Sequence, residues 1–180
     1  MSRGIAFLTD DSRWKKPGLE AFLKRAAARA LAACPFEGKS ALTILLTSDA
    51  RLKELNRDFR GKNKPTNVLS FPAPLNEEGY RGDIALAYGV TAAEAKDAGK
   101  RLRDHAAHLV VHGVLHLAGH DHIKERDAKK MESLEVQILA KLKIANPYGS
   151  IGQEKCLPQR SHAGRAVFRP AVRPKKEVMA

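Results

Sequence analysis

The sequence predicts a single compact α+β domain in which helices pack on a small mixed β-sheet. Short β-rich runs alternate along the chain with longer stretches of helical periodicity, and no internal repeat is present. The 180 residues are 43% hydrophobic and 29% charged. This composition is typical of one globular domain with a short appendage, and it excludes a largely disordered chain.

The first half of the chain predicts two strands and two helices. Pro17 suits the start of a helix, since its fixed φ is compatible with the first turn. The run over residues 41–47 is rich in β-branched and aliphatic residues and predicts a buried strand. In chain order we expect a strand over residues 4–8, a helix from Pro17 to about Cys34, a strand over 41–47, and a short helix capped by Ser48 or Asp49.

The second half predicts a hairpin followed by two helices. Strands over residues 68–71 and 82–87 are separated by a loop containing Gly79, which favours an antiparallel pair. Thr91 and Glu94 have the spacing of a capping box, predicting one long helix from there to Leu117 that Gly119 terminates. A last helix over about 123–144 carries an apolar stripe of Met131, Leu134, Ile138 and Leu142.

The charge balance favours a polyanionic partner. Lys and Arg number 32 against 20 Asp and Glu, a net charge of +12, and nucleic acid is the partner this favours. We expect residues 1–145 to form the domain. Residues 146–180 are basic, contain four prolines and show no apolar period, so we expect a flexible basic extension there.

Other compositional features narrow the class of protein. No run reaches the roughly 18 apolar residues of a membrane-spanning helix, and the N-terminus meets acidic residues too early for a signal peptide. The two cysteines, Cys34 and Cys156, cannot by themselves supply a disulfide framework or a zinc cluster. A cytoplasmic protein is therefore expected.

Six of the seven histidines fall between positions 105 and 122. His112 and His116 are four residues apart, so on a helix their imidazoles meet on one face and can share a metal. A chain reversal at Gly119 would bring in His122 as a third ligand, leaving a fourth position for water, as in catalytic zinc sites. Zinc suits three imidazoles, although nickel and copper also bind nitrogen ligands. A metal set that includes His108 is an alternative, whereas His120 is expected to point elsewhere.

The same histidine spacing occurs in metzincin-type zinc proteases, but one required group is missing here. Those enzymes need a glutamate directly after the first histidine to activate the metal-bound water. This chain has Gly113 at that position. A protease is therefore disfavoured.

Three blocks resemble the bacterial YbeY family of endoribonucleases and rRNA maturation factors. The segment HGVLHLAGHDH at 112–122 resembles the family's HGxLHLxGYDH signature, with His120 where tyrosine is common. Residues 56–72 are similar to its NxxyRgkdkpTDVLSFP segment, with Asn67 in place of the common aspartate, and Gly82-Asp83-Ile84 is similar to its LGDI strand start. The resemblance covers about residues 3–145. It implies a metal-dependent, single-strand-specific endoribonuclease in 16S rRNA 3′-end maturation and ribosome quality control.

The resemblance also implies roles for individual residues. His112, His116 and His122 correspond to the metal ligands, and His112 and His116 also to the catalytic set, with zinc activating water. Arg60 corresponds to an arginine that stabilises phosphate charge, and Lys62 and Lys64 are expected to bind the RNA backbone. Weaker candidates are Thr66 and Ser70, and Asp121 as a partner orienting a ligand imidazole.

A non-enzymatic alternative uses the same histidines. In it the protein is a zinc-stabilised ribosome-assembly factor that binds RNA without cutting it. The expected partners in either case are single-stranded rRNA and components of the small ribosomal subunit.

Overall fold

In a computed structural model, the protein is described over residues 4–36, 38, 40–74, 79–120 and 124–149. This part of the chain forms an α+β domain, as predicted, with one four-stranded sheet in the order β1-β2-β4-β3. The strands are β1 Gly4–Thr9, β2 Ala41–Thr47, β3 Val68–Pro72 and β4 Tyr80–Ala87. The α-helices are α1 Leu19–Ala33, α2 Asp49–Arg60, α3 Tyr88–Asp97, α4 Leu102–Leu117 and α5 Glu125–Ala140.

The sheet is mixed. Strands β1, β2 and β4 run parallel, while β3 pairs antiparallel with β4 at the edge, which confirms the predicted hairpin. Gly82 lies beside a register shift in β4 with a φ of 133°, and a Cβ built there would lie 2.1 Å from the carbonyl oxygen of Phe71. Only glycine permits this backbone approach.

The two faces of the sheet bury separate hydrophobic clusters. Ile44 and Ile84 belong to the larger cluster, which includes the buried faces of α1, α4 and α5. Ala85, the residue after Ile84, and its cross-strand partner Leu69 belong to a smaller cluster with Leu52 of α2. This alternation follows from the two-residue period of a strand. As a result, β3 contacts α4 on one side of the sheet and α2 on the other.

The prediction of one helix from Thr91 to Leu117 is wrong, because α3 and α4 are separate. Helix α3 ends at Asp97, and Gly99 adopts a left-handed φ of 61° before α4 begins at Leu102. Thr91 is buried inside α3 and is not its N-cap. The carboxylate of Asp49 instead accepts a hydrogen bond of 3.1 Å from the N–H of Val90 in the first turn of α3.

Several other boundaries agree with expectation. Strand β2 spans the predicted residues, and the Ser48 hydroxyl caps α2 by accepting from the N–H of Arg51. Helix α5 is shorter than predicted: it ends at Ala140, and Lys143 in the following turn has a φ of 59°. Across the described ranges, no helix combines the length and apolar character needed to cross a membrane.

Candidate metal centre

Helix α4 carries four histidines along one side. His105, His108, His112 and His116 are spaced by three, four and four residues, so successive imidazoles follow one stripe of the helix. All four are partly exposed, whereas from Ala106 onward the other residues of α4 are buried in the core between the sheet, α1 and α5. Packing of the helix therefore presents the whole row at the edge of the core.

His112 and His116 meet as their spacing predicts. Their ring centroids are 4.5 Å apart, and their Nε2 atoms face each other at 3.0 Å. Two imidazole nitrogens this close share either a proton or a common cation. The edge of a tetrahedron with metal–nitrogen bonds of about 2.05 Å measures about 3.3 Å, so the donor pair fits a tetrahedral metal such as zinc.

A buried carboxylate orients His112. Its Nδ1 lies 2.7 Å from Oε1 of Glu135 on α5. An ionised carboxylate only accepts hydrogen bonds, so Nδ1 carries the proton and Nε2 becomes the lone-pair nitrogen of the neutral ring. That nitrogen is the one facing His116. This is the tautomer a metal ligand requires.

Glu135 is fully buried and receives three donors. Besides His112, Nε2 of His108 donates to it over 3.1 Å, and the Tyr148 hydroxyl also donates. Burial raises the pKa of Glu135, but the hydrogen bonds from His108 and His112 outweigh burial and hold the pKa well below its usual range. Burial and the Glu135 charge raise the pKa of Tyr148, so the phenol stays protonated and donates.

Glu135 was not among the site residues predicted from the sequence. The signal in the sequence was its position in the apolar stripe of α5, four residues after Met131 and three before Ile138, where a lone carboxylate needs buried partners. Asp121, the predicted orienting carboxylate, lies outside the described residues, as does the predicted third ligand His122. Among the residues that are described, no group of three metal-ligating side chains occurs.

The remaining histidines on α4 have carboxylate partners of their own. His105 Nε2 lies 2.8 Å from Glu94, which also accepts from the Asn67 amide. Burial raises the pKa of Glu94, but these hydrogen bonds outweigh it and lower the pKa. Since His108 is engaged by Glu135, its Nε2 does not face the His112–His116 pair. His120 follows α4 and lines a surface depression with residues of α5, including Lys129 and Ser133.

Gly113 allows α4 to pack closely on the sheet. A Cβ built at this position would lie 2.9 Å from a methyl of Ile84 and 3.1 Å from the Ser70 hydroxyl. The glutamate that zinc proteases require at this position would have to enter this contact. Tertiary packing therefore supplies the reason for glycine here, and it places Ser70, a weaker sequence candidate, beside the helical turn that carries His112.

Arg60 is the last residue of α2. Gly61 follows in the left-handed conformation and ends the helix. Arg60 is half-buried, and burial lowers the pKa of its guanidinium, although an arginine stays charged at neutral pH. The end of a helix therefore fixes the backbone position from which the Arg60 side chain extends.

A buried amide anchors the basic loop that follows. Asn56 is 1% exposed, and its side-chain N–H donates over 2.8 Å to the backbone carbonyl of Lys64. The N–H of Lys62 donates to the Asn56 carbonyl. Lys64 is exposed and Lys62 half-exposed, while Thr66 is half-buried further along the loop. The loop therefore has a defined backbone and presents basic side chains.

These features define an α+β domain with a histidine-lined centre, and comparison with known proteins places it in a family. The profile of the family described as endoribonuclease YbeY matches residues 5–143. A protein named endoribonuclease YbeY from Paramagnetospirillum magneticum is 49% identical over 142 residues, covering 74% of this chain and 87% of its own length. Its namesake from Chelativorans sp. is 48% identical over 135 residues, covering 72% of this chain and 83% of its own length.

A solved structure shares the fold. The solution structure of TM1509 from Thermotoga maritima is 26% identical, with a TM-score of 0.52, and the match covers 84% of this chain and 99% of that one. The chain belongs to the endoribonuclease YbeY family. The resemblance seen in the sequence is confirmed.

Gly113→Ala is expected to destabilise the domain. Crowding against Ile84 costs about 1–3 kcal/mol, which exceeds the roughly 1 kcal/mol that alanine gains over glycine in a helix. Urea unfolding measures the difference in the free energy of unfolding. A variant more stable than the parent by the full helix-propensity gain would show that α4 has room for a side chain here.

Proposed function

We propose that this protein is a metal-dependent endoribonuclease that cuts single-stranded RNA, acting in 16S rRNA 3′-end maturation and ribosome quality control. The observation that carries the proposal is the His112–His116 pair, whose Nε2 atoms converge while Glu135 holds one ring in the ligating tautomer. Membership of a family named for endoribonuclease activity supplies the reaction class. The proposed setting is the cytoplasm, where small-subunit ribosomal components would be its partners.

The metal would be held by His112, His116 and His122. Three neutral imidazoles favour zinc, one per chain, although nickel and copper also accept nitrogen ligands. When bound, such a cation polarises a phosphoryl oxygen and lowers the pKa of water. Gly113 and Glu135 set the position of α4 and the orientation of His112, so the donor pair is arranged before any ligand arrives.

Arg60 would bind the phosphate whose charge grows during cleavage. Its guanidinium presents a planar fork that can hold two phosphate oxygens at once. Half-burial at the end of α2 makes each hydrogen bond stronger than it would be in water. In the proposed mechanism, Arg60 supplies a fixed positive charge to the transition state.

Lys62 and Lys64 would guide the RNA backbone to this position. The Asn56 amide fixes the loop that carries them. Residues 1–145 retain a positive net charge even without the basic C-terminal segment, so the domain itself attracts polyanions. Phosphate contacts of this kind position the strand without reading its sequence.

The hydrogen bonds of Glu135 favour a second candidate function, without catalysis. Among the described residues, the carboxylate that contacts the histidine pair is Glu135, and it already accepts from three donors. Glu135 is therefore not placed to take a proton from water. A zinc-stabilised ribosome-assembly factor that binds RNA without cutting it is the alternative, and a cleavage assay separates the two.

His116→Ala is expected to abolish cleavage while leaving the fold intact. Removing a residue that only hydrogen-bonds to a metal ligand typically weakens metal binding roughly 10–100-fold. Losing one of the three ligands themselves should weaken it more. The measurements are metal content by mass spectrometry and cleavage of a single-stranded rRNA fragment, with and without chelator. His120→Ala is the matched control and should keep both metal and activity.

Cleavage that persists after complete metal removal would contradict the metal-dependent mechanism. Metal-loaded protein that never cleaves RNA would favour the assembly factor.

Arg60→Lys is expected to slow cleavage on the order of 10²-fold, by analogy with loss of one preorganised donor. Lysine keeps the charge but loses the two-pronged geometry, so RNA affinity should change little. Metal content and melting temperature should stay near the parent values. Single-turnover cleavage rates measure the effect, and Arg51→Lys, an exposed position on the same helix, is the control. A parental rate in Arg60→Lys would assign charge stabilisation to another group.

Deleting residues 150–180 is expected to leave the domain folded and to weaken nonspecific RNA binding. The deletion removes seven basic and two acidic residues. For single strands the slope of log affinity against log salt falls by about 0.7 for each phosphate that the protein ceases to neutralise. RNA affinity measured over a range of salt concentrations gives the slope. An unchanged slope would show that this segment does not bind phosphates.

A further inference from the structure

We propose that Glu135 is a positioning residue for the metal centre, and that Tyr148, beyond the end of α5, completes its support. The proposal rests on the metal-dependent function proposed for this protein, and it assigns a task to residues outside the predicted ligand set. Glu135 fixes the tautomer and the ring plane of His112. His108 and Tyr148 hold the carboxylate in the orientation that does this.

Burial and contacts set Glu135 apart from a surface acid. Its side chain has no solvent exposure, and each of its oxygens faces the histidine row: Oε1 toward Nδ1 of His112 and Oε2 toward Nε2 of His108. A buried charge is retained only when hydrogen bonds replace its hydration. Here the replacing donors are the histidine that faces His116 and the histidine one turn before it.

The geometry of the carboxylate determines which nitrogen of His112 is left for a metal. With the proton on Nδ1, the ring turns its Nε2 lone pair toward His116. The opposite tautomer would direct an N–H at His116 and a lone pair at the carboxylate, which is repulsive. Glu135 therefore selects the ligating form of His112 before a metal binds.

The segment after α5 reaches back to the same carboxylate. The Tyr148 hydroxyl donates to Glu135, and its ring packs edge-on against His108 with centroids 5.7 Å apart. The Lys100 ammonium donates over 3.0 Å to the carbonyl of Pro147, which holds this segment against the start of α4. Tyr148 thus contacts the centre directly, although it lies beyond the predicted domain boundary.

Glu135→Gln in the full-length chain tests the proposal. The amide has one acceptor oxygen and one NH2 donor group in place of the two carboxylate oxygens, so in this position it accepts from only one of His108 and His112. Two readouts apply: the ¹⁵N shifts of His112 in metal-free protein at a pH where imidazoles are neutral, and the zinc dissociation constant by competition with a chelator. We expect the Nδ1–H form to dominate in the parent and to be less populated in the variant, because the single amide oxygen faces either His112 or His108, with zinc binding weakened about 10–100-fold.

Two further variants separate positioning from general stability. Leu139→Ala truncates a fully buried side chain on the same helix, and it should lower the melting temperature while leaving the His112 tautomer unchanged. Tyr148→Phe removes only the hydroxyl and should weaken zinc binding less than Glu135→Gln does. If Leu139→Ala shifts the tautomer as much as Glu135→Gln, the effect is structural and the proposal falls.

The outcomes also distinguish this inference from the proposed function. A parent protein with the Nε2–H form of His112, or a Glu135→Gln variant with parental zinc affinity, would overturn the positioning role and leave the ribonuclease proposal standing. A parent with the expected tautomer that binds no transition metal would overturn the metal centre while the orienting role of Glu135 held.

Discussion

The hydrogen-bonded contact between Glu135 and the histidine row of α4 is the interaction on which the candidate centre depends. A carboxylate with no solvent exposure is costly to bury, and it is stable here because two imidazoles and a phenol donate to it. These donors come from two separate parts of the chain, α4 and the segment after α5. A shift of α5 relative to α4 would leave a buried charge without its partners, so the charge holds both helices in register.

Helix α4 meets two demands on opposite sides. One side packs into the core, where Gly113 brings the helix so close to β4 that a single added carbon would contact Ile84. The other side presents the histidines. Side chains in a close-packed interior cannot shift freely. The contact between α4 and the sheet therefore fixes the distance from the sheet at which α4 holds His112 and His116. The position of the His112–His116 pair thus depends on packing in the core as well as on the spacing of the histidines.

The edge strand β3 links the histidine helix to the basic loop. Its residues alternate between the two faces of the sheet, with Leu69 in the cluster beneath α2 and Ser70 beside Gly113 of α4. Arg60 ends α2, and the loop anchored by Asn56 leads from there directly into β3. One short strand therefore relates Arg60 at the end of α2 to His112 and His116 on α4, and these three side chains are carried by helices.

The sequence by itself determined the features that depend on local spacing. The strand at 41–47, the hairpin and the meeting of His112 with His116 follow from periods of two and 3.6 residues and from turn residues, all of which act over a few positions. Tertiary structure decided the rest. The Thr91–Glu94 spacing suggested a cap, yet Glu94 contacts Asn67 and His105. It meets His105 on the next helix because the helix is interrupted around Gly99. The role of Glu135 was not predicted because its three partners lie 13, 23 and 27 residues away. When the hydrogen-bond donors to a buried carboxylate come from distant parts of the chain, only the tertiary structure shows whether that carboxylate has partners and which site it supports.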